Sequence, residues 1–273
     1  MKLIRSRSEN DTEILADLLA PLNLGSWQYH PVAGSTNDLA MAWAQKGAPD
    51  WSLVIADEQT AGRGRYDRGW VTKPGSALAI SLVLRPSTSE TAYLPRFTAL
   101  AALGLIRALA GLGLEGQIKW PNDILLAEKK VGGVLVEVDW QGELLRSLVV
   151  GMGVNVNDEA LPDPEDLRYP AISAAQARGE RVDRWALLAD TLKAMIELRT
   201  VIQKSVFLEA WNHRLAFRDQ WVQLTFPGTK TANVKILNIT NKGQLEVETA
   251  DGNALTVVAG EIGMSPQKDE RGS

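Results

Sequence analysis

Three arginines and three glycines lie within nine residues, from Gly62 to Trp70, directly after a short apolar run. Arginine presents a planar fork of donors that matches carboxylate and phosphate groups. Glycine lets a backbone approach a ligand closely, and Trp70 adds a flat face on which a base could stack. The segment predicts a loop that holds an anionic, nucleotide-like ligand, although such mixtures also occur in flexible surface loops.

The overall composition restricts the functional classes. The chain has 273 residues, 45% of them hydrophobic, and a formal net charge of -4. This acidic balance disfavours general nucleic-acid binding, so the arginine cluster is a local feature. The absence of cysteine excludes disulfides and thiolate sites, and two histidines are too few for a histidine-rich metal centre. No apolar leader or membrane-length run is found, and the cytoplasm is the expected location.

The pattern of apolar residues predicts an α+β chain. Apolar runs bounded by turn residues predict strands, and apolar residues at helical spacing predict helices. A Gln141-Gly142 turn predicts a hairpin between two of the strands. The predicted strands cover 53–56, 77–84, 124–126, 131–138 and 144–150, and the predicted helices cover 14–20, 35–45, 94–112, 185–199 and 207–215.

The pattern of apolar and turn-forming residues changes after residue 217. Short β-rich runs alternate with glycine-containing turns, which predicts a small all-β barrel or sandwich. The runs cover 221–226, 234–239, 245–249 and 255–258. We therefore expect a large domain over 1–217, a small β domain over 218–265 and a disordered tail over 266–273.

Five polar motifs stand in apolar or glycine-rich surroundings. They are Gly-Ser-Thr-Asn at 34–37, Gln-Thr-Ala-Gly-Arg-Gly-Arg at 59–65, Lys-Trp-Pro-Asn-Asp at 119–123, Lys-Val-Gly-Gly-Val-Leu-Val-Glu at 130–137 and Gly-Met-Gly-Val-Asn at 151–155. In this order they resemble the motifs of the biotin–protein ligases. Five motifs in one order are more specific than any one alone, and Lys-Trp-Pro-Asn-Asp is the sharpest.

This resemblance implies both a fold and a reaction. The fold would be a mixed β-sheet catalytic domain packed with helices, similar to class II synthetases and lipoate ligases, followed by a small SH3-like β-barrel. The reaction would join biotin to the α-phosphate of ATP, with Mg²⁺ present, and release pyrophosphate. Biotinyl-5′-AMP would then donate biotin to a lysine of a biotin carboxyl carrier protein or domain, such as that of acetyl-CoA carboxylase.

By the same resemblance, the catalytic residues are Lys130, Arg63 and Arg65. A carboxylate that attacks a phosphate brings two negative groups together, so the site must supply positive charge where they meet. Lys130 stands at the head of an apolar strand, where partial dehydration would strengthen its charge. The alternative is that Lys129 and Lys130 form a solvated hairpin turn.

The remaining expected contacts divide between two substrates. The resemblance implies biotin-binding residues Ser35, Thr36, Asn37, Gln59, Arg63, Gly64, Arg65, Lys130, Gly132 and Gly133. It implies ATP-binding residues Arg65, Arg68, Trp70, Lys119, Asn122 and Asn155. Ser35 also stands where a helix N-cap is expected. Asp123 is expected either to hold Mg²⁺ with ATP or to fix the turn after Pro121.

The sequence departs from the family pattern in two places. Asp67 stands where many relatives carry glycine, which puts loop closure or retention of the intermediate in question. Residues 172–174 are Ile-Ser-Ala where relatives often have Thr-Ser-Leu. An arginine–glycine loop is expected to be mobile when empty and to be ordered by its ligand. Its closure would shield the adenylate from water.

Two other functions stay open on the sequence alone. A lipoate or octanoate ligase or transferase shares the catalytic architecture. A biotin sensor would keep Ser35, Thr36 and Gln59 but could lose Lys130, so its presence favours catalysis. The stretch before Gly34 is short and has no basic face, so we expect a ligase without DNA or membrane binding. A homodimer through an exposed sheet surface stays undecided.

Overall fold

The computed structural model describes residues 7–70, 72–161, 169–228 and 230–266, with side chains except at Arg7, Asp67 and 264–266. The predicted tail beyond residue 266 lies outside these residues. No helix in the described ranges is long and apolar enough to cross a membrane.

Seven strands form one mixed sheet in the order β1-β2-β3-β7-β6-β5-β4. Strands β1 and β2 run parallel, whereas all other neighbours in the sheet run antiparallel. The strands are β1 (Ser26–Ala33), β2 (Ser52–Gln59), β3 (Ala77–Leu84), β4 (Gly116–Lys119), β5 (Asp123–Leu126), β6 (Lys129–Gln141) and β7 (Leu144–Asn155). This mixed sheet, covered by helices, confirms the expected α+β fold class.

The helices cover both faces of this sheet. They are α1 (Arg7–Leu19), α2 (Thr36–Gln45), α3 (Pro95–Gly111), α4 (Ala174–Arg178), α5 (Arg184–Arg199) and α6 (Ser205–His213). Because successive strand residues point to opposite faces, Leu53 and Ile55 join the main core with α3 and α5, whereas Val54 packs with Ala40 and Ala44 of α2. This alternation fixes α2 on the face opposite the main core.

The C-terminal strands form a second sheet. They are β8 (Trp221–Thr225), β9 (Thr231–Ile239), β10 (Leu245–Thr249), β11 (Ala254–Val257) and β12 (Glu261–Pro266), in the antiparallel order β11-β10-β9-β8-β12. In the described part of the chain this sheet is open, so the expected closed barrel is not found. The domain boundary at residue 217 stays a prediction.

Polar contacts fasten the second sheet to the first. The indole of Trp120 donates to the carbonyl of Gly243 at 3.2 Å, and Lys119 Nζ donates to the carbonyl of Ile262 at 3.2 Å. Buried Arg96, at the start of α3, donates to the carbonyl of Asn241 at 3.1 Å. Because Lys119 and Trp120 belong to one of the five motifs, the second sheet packs directly behind the candidate site.

Most predicted elements are present with ends shifted by a few residues, but three strands have no counterpart in the sequence prediction. Strand β1 contains Pro31 and polar residues, which an edge strand tolerates and which hide it from an apolar pattern. Strand β4 has only four residues. Strand β12 mixes glycine, serine and proline, so its pairing with β8 is the feature that defines it.

Candidate active site

A cavity of about 650 Å³ lies between the arginine-rich loop and the mixed sheet. Its size suits a small-molecule or cofactor ligand. The structure brings nearly all of the predicted site residues to this one cavity, with Gly132 as the exception. The lining residues among them are Ser35, Thr36, Asn37, Gln59, Arg63, Gly64, Arg65, Arg68, Trp70, Lys119, Asn122, Asp123, Lys130, Gly133 and Asn155.

The start of α2 forms one polar wall. The backbone amide and hydroxyl of Thr36 both donate to Gln59 Oε1, at 2.8 and 3.0 Å, which orients the Gln59 amide. Ser81 of β3 supports this wall, because its hydroxyl lies 2.8 Å from the Thr36 hydroxyl. Ser35 occupies the N-cap position, but its side chain makes no capping hydrogen bond. The expected capping role is therefore not seen, and Ser35 instead lines the cavity.

Asn37 is held on both sides of its amide. Its Nδ2 donates to Glu137 Oε2 at 2.6 Å, and its Oδ1 accepts from the Ser81 hydroxyl at 2.6 Å. A Cβ at Gly151 would lie 2.0 Å from Asn37 Oδ1, so only glycine leaves room for this amide. These contacts favour a positioning role for Asn37, which anchors the first turn of α2 to the sheet, and its expected contact with biotin stays a prediction.

Residues 62–70, here called the arginine loop, form a short hairpin. The amide of Gly64 donates to the carbonyl of Arg68 at 2.7 Å, and the amide of Trp70 donates to the carbonyl of Gly62 at 2.8 Å. A Cβ at Gly62 would lie 2.5 Å from the carbonyl oxygen of Trp70, so the closure of the hairpin requires glycine there. The side chain of Asp67 lies outside the described residues, and its expected effect stays a prediction.

The three arginines of the loop have different partners. Arg63 binds Asp38 through both terminal nitrogens, at 2.8 and 2.6 Å, and lies 3.5 Å from Glu137. Arg68 binds Glu261 in the same forked manner. Arg65 Nη2 donates to the hydroxyl of the neighbouring Tyr66 at 3.1 Å. The loop therefore brings three guanidinium groups to the cavity, of which Arg63 and Arg68 are held by carboxylates.

Two lysines share one buried carboxylate at the opposite wall. Lys130 Nζ lies 2.7 Å from Asp123 Oδ1, and Lys119 Nζ lies 3.0 Å from Asp123 Oδ2. Burial by itself would raise the pKa of Asp123, but the Lys130 and Lys119 ammonium groups outweigh this effect and lower the pKa below its ordinary value. The carboxylate is thus ionised, and it holds the Lys130 ammonium at the cavity wall.

The contacts of Asp123 favour a lysine-positioning role. Each of its oxygens binds a lysine, so a cation at this carboxylate would have to displace an ammonium group or lie beside it. Within the described ranges, no group of three or more histidine, cysteine, aspartate or glutamate residues could hold a metal ion. The expected contact of Asp123 with magnesium stays a prediction, and no step is assigned to a protein-bound metal.

Three residues expected to bind ATP are also engaged with the protein. Lys119 is 1% exposed, and its ammonium lies 4.9 Å from the ring centroid of Tyr169. Asn122 Nδ2 donates to the carbonyl of Val134 at 2.8 Å, and Asn155 Nδ2 donates to the carbonyl of Ile172 at 3.4 Å. All three residues line the cavity, but their contacts with a nucleotide stay predictions.

Glycines on β6 and β7 set the depth of the cavity. A Cβ at Gly153 would lie 2.2 Å from the indole of Trp70, which packs against this backbone. Gly133 lies close to the Lys130 side chain. Gly132 faces away from the cavity, where a Cβ would lie 2.7 Å from the carbonyl oxygen of Gly153 and 3.6 Å from Leu105. The missing Cβ allows β6 to pack closely on β7, and the expected contact of the Gly132 backbone with biotin stays a prediction.

Comparison with known proteins identifies the fold of this region. Residues 29–155 match the model of the Biotin/lipoate A/B protein ligase family. This part of the chain is therefore similar to that family. Biotin protein ligase from Aquifex aeolicus, solved in complex with biotin and ATP, has a TM-score of 0.73 and 26% identity, covering 87% of this chain and 97% of that one.

Several curated proteins are also similar to this chain. The bifunctional ligase/repressor BirA of Bacillus subtilis is 39% identical over 60% of this chain and 50% of its own length. The biotin–[acetyl-CoA-carboxylase] ligase of Paracoccus denitrificans is 39% identical over 55% of this chain and 62% of its own. The corresponding protein of Mycobacterium tuberculosis is 33% identical over 62% and 66%. The chain thus spans about half the length of the first curated relatives that it matches.

The structure adds residues to the candidate site that motif reasoning did not select. Asp38 directly follows the Gly-Ser-Thr-Asn motif, and its place in the first helical turn was the available signal. Ser81 is a polar residue within an otherwise apolar strand, which is also a detectable signal. Tyr169 and Glu261 line the cavity as well. Their distance along the chain from the motifs means that folding alone brings them there.

Proposed function

We propose that this protein is an ATP-dependent biotin–protein ligase. The observation that carries the proposal is the convergence of Lys130, Arg63 and Arg65 on one cavity of ligand size within the ligase-family domain. Three positive groups around one cavity suit a reaction in which a carboxylate approaches a triphosphate. Similar proteins that are named as biotin ligases support the same activity.

In the first step, a carboxylate oxygen of biotin attacks the α-phosphorus of ATP. A new bond forms between the carboxylate oxygen and the α-phosphorus. The bond between the α-phosphorus and the oxygen that bridges to the β-phosphate breaks, and pyrophosphate leaves. Lys130 would neutralise the carboxylate and then the acyl phosphate, held in place by Asp123 at 2.7 Å. Arg63 and Arg65 would stabilise the charge on the α-phosphate from the loop side, since both line the cavity.

The neutral part of biotin would occupy the other polar wall. Ser35, Thr36 and Gln59 supply hydroxyl and amide groups that suit its ureido ring, and Gly133 keeps the backbone close. The nucleotide would lie toward Trp70, Lys119 and Asn155. Magnesium would enter with the phosphates of ATP as part of the nucleotide substrate, and we assign it no protein ligand.

In the second step, the amine of an acceptor lysine attacks the acyl carbon of biotinyl-5′-AMP. An amide bond forms, the acyl–phosphate bond breaks, the amine loses a proton, and AMP leaves. Relatives named for acetyl-CoA carboxylase support a biotin carboxyl carrier protein as the acceptor. Both ATP and this carrier are cytoplasmic molecules in the proposal, so we place the protein there.

An ATP–pyrophosphate exchange assay, run separately with biotin and with lipoate, tests the first step. We expect exchange with biotin and background exchange with lipoate. Exchange with lipoate alone would indicate a lipoate ligase, which belongs to the same Biotin/lipoate A/B protein ligase family. Tight biotin binding without exchange would contradict a ligase and indicate a biotin-binding protein without catalysis.

A further inference from the structure

Two carboxylates from outside the arginine loop each hold one of its arginines through both terminal nitrogens. Asp38, in the first turn of α2, accepts from Arg63 at 2.8 and 2.6 Å. Glu261, the first residue of β12, accepts from Arg68 at 2.7 Å twice. Forked arginine–carboxylate pairs fix orientation as well as adding energy. Each contact therefore ties the loop to a separate element of the fold.

The two arginines lie on opposite arms of the loop hairpin. Arg63 pairs with Gly69 across the hairpin, and the amide of Gly64 donates to the carbonyl of Arg68. Asp38 therefore fastens the first arm to α2, and Glu261 fastens the second arm to the C-terminal sheet. Because both arms are tied, movement of the hairpin away from the cavity requires that both contacts break.

The two carboxylates reach the loop from different sides. Arg63 lines the cavity but Asp38 does not, so Asp38 holds the guanidinium from outside the ligand space. Its bonds use the edge formed by Nη1 and Nη2, and the planar fork has a second edge that contains Nε. Glu261 is steadied by a third element, because the Tyr169 hydroxyl lies 3.2 Å from its Oε1.

We infer that Asp38 and Glu261 are positioning residues that hold the arginine loop closed over the cavity before any ligand is bound. The sequence predicts a loop that is mobile when empty, and these contacts oppose that mobility. With the loop held in advance, less conformational entropy is lost at the moment of binding. The inference deepens the proposed function, but its central measurement requires no ligand and does not rest on it.

Hydrogen–deuterium exchange of the ligand-free protein, followed by NMR, tests the inference directly. The variants are Asp38→Asn, Glu261→Gln and their combination. From the usual strength of partly exposed ion pairs, we expect the Gly64 and Trp70 amides to exchange about threefold faster in each single variant and about tenfold faster in the double. Amides of β3 should keep their wild-type exchange rates.

A matched control is Glu159→Gln. This substitution removes an exposed ion pair outside the loop, in which Glu159 Oε1 lies 2.7 Å from Arg181 Nη1. It should leave the loop amides unchanged. Wild-type exchange at Gly64 and Trp70 in the double variant would overturn the inference. Equal acceleration throughout the mixed sheet would also overturn it, because that pattern reports a general loss of stability.

A mutant cycle separates the loop contact from an effect on α2. Asp38 lies in the first turn of the helix, where a negative charge is favourable in its own right. Arg63→Lys keeps the positive charge but removes the planar fork. If Asp38 acts through Arg63, the effect of Asp38→Asn on the loop amides should vanish in the Arg63→Lys background. An effect of full size in that background would overturn the inference.

Biotin titration by calorimetry adds a functional measurement. In the double variant the ligand itself must order the loop. Biotin should therefore bind at least about threefold more weakly to this variant than to the wild type. Unchanged binding would overturn the inference. Tighter binding would also overturn it, because it would mean that Asp38 competes with the ligand for Arg63. A wild-type protein that binds no biotin would contradict the proposed function, whereas the exchange experiment would retain its meaning.

Discussion

Lys130 and Asp123 face each other across the β5–β6 pair, with 2.7 Å between Nζ and Oδ1. The lysine is partly exposed to the cavity, whereas the carboxylate is buried and shared with Lys119. A buried carboxylate between two ammonium groups fixes the position of the one that faces the ligand space. This relationship is the basis of the first three predictions.

Lys130→Met should reduce biotin-dependent ATP–pyrophosphate exchange by at least about a hundredfold, the usual effect of removing a group that stabilises transition-state charge. Biotin affinity should fall less, because the polar wall at Thr36 and Gln59 remains. Calorimetry measures the affinity, and the exchange assay measures the rate. Lys129→Met is the matched control, since Lys129 is the exposed neighbour. Similar losses in the two variants would contradict the central role of Lys130.

Asp123→Asn should lower the free energy of unfolding by roughly 3 kcal/mol, because it leaves the buried Lys119 ammonium without its carboxylate. Urea denaturation followed by tryptophan fluorescence measures this change. Asp190→Asn, at an exposed position of α5, should have little effect. Equal stability of the wild type and Asp123→Asn would show that the two lysines do not depend on this ion pair.

The same carboxylate should make stability depend on pH. The pKa of Asp123 is lower in the folded state than its ordinary value, so the unfolded chain takes up a proton first as pH falls. Its stabilising contribution is therefore complete above its unfolded pKa of about 3.9 and is lost as pH falls from there through the folded pKa. Denaturation midpoints between neutral and acidic pH should converge for the wild type and Asp123→Asn. A constant difference across this range would contradict the assignment.

Gly153→Ala should displace Trp70 from the cavity wall, because the added Cβ would lie 2.2 Å from the indole. We expect about a tenfold higher KM for ATP and a loss of roughly 1–3 kcal/mol in stability, as in other overpacked sites. Gly111→Ala is the control, since nothing lies within 4 Å of a Cβ there. An unchanged KM would mean that Trp70 does not border the nucleotide.

Much of the fold follows from local patterns. The apolar run of β3 and the helical spacing of α3 predict those elements almost to the residue. The turn at Gly142 predicts the hairpin of β6 and β7, where the glycine has a φ of 61°. These elements are long or strongly patterned, so burial and turn chemistry decide them without help from distant residues.

The motifs by themselves carried the resemblance to a family, and nearly all of the site residues chosen from them line the cavity. Close approach of the backbone to a ligand requires glycine, and anion binding favours arginine. These requirements can be recognised in the amino-acid sequence alone. Partners were not visible in this way. Asp123 was open to two interpretations, a magnesium ligand or a residue that fixes the turn after Pro121, and only the folded chain shows that it contacts two lysines.

Tertiary structure decided the contacts between segments that are far apart along the chain. Glu261 reaches Arg68 across 193 residues, and Gly132 turns from the cavity to the β7 backbone because of the strand register. The sequence determined which chemical groups are available and which segments form strands, helices and turns. Packing decided which carboxylate meets which cation, because ion pairs depend on distances that only the folded chain sets.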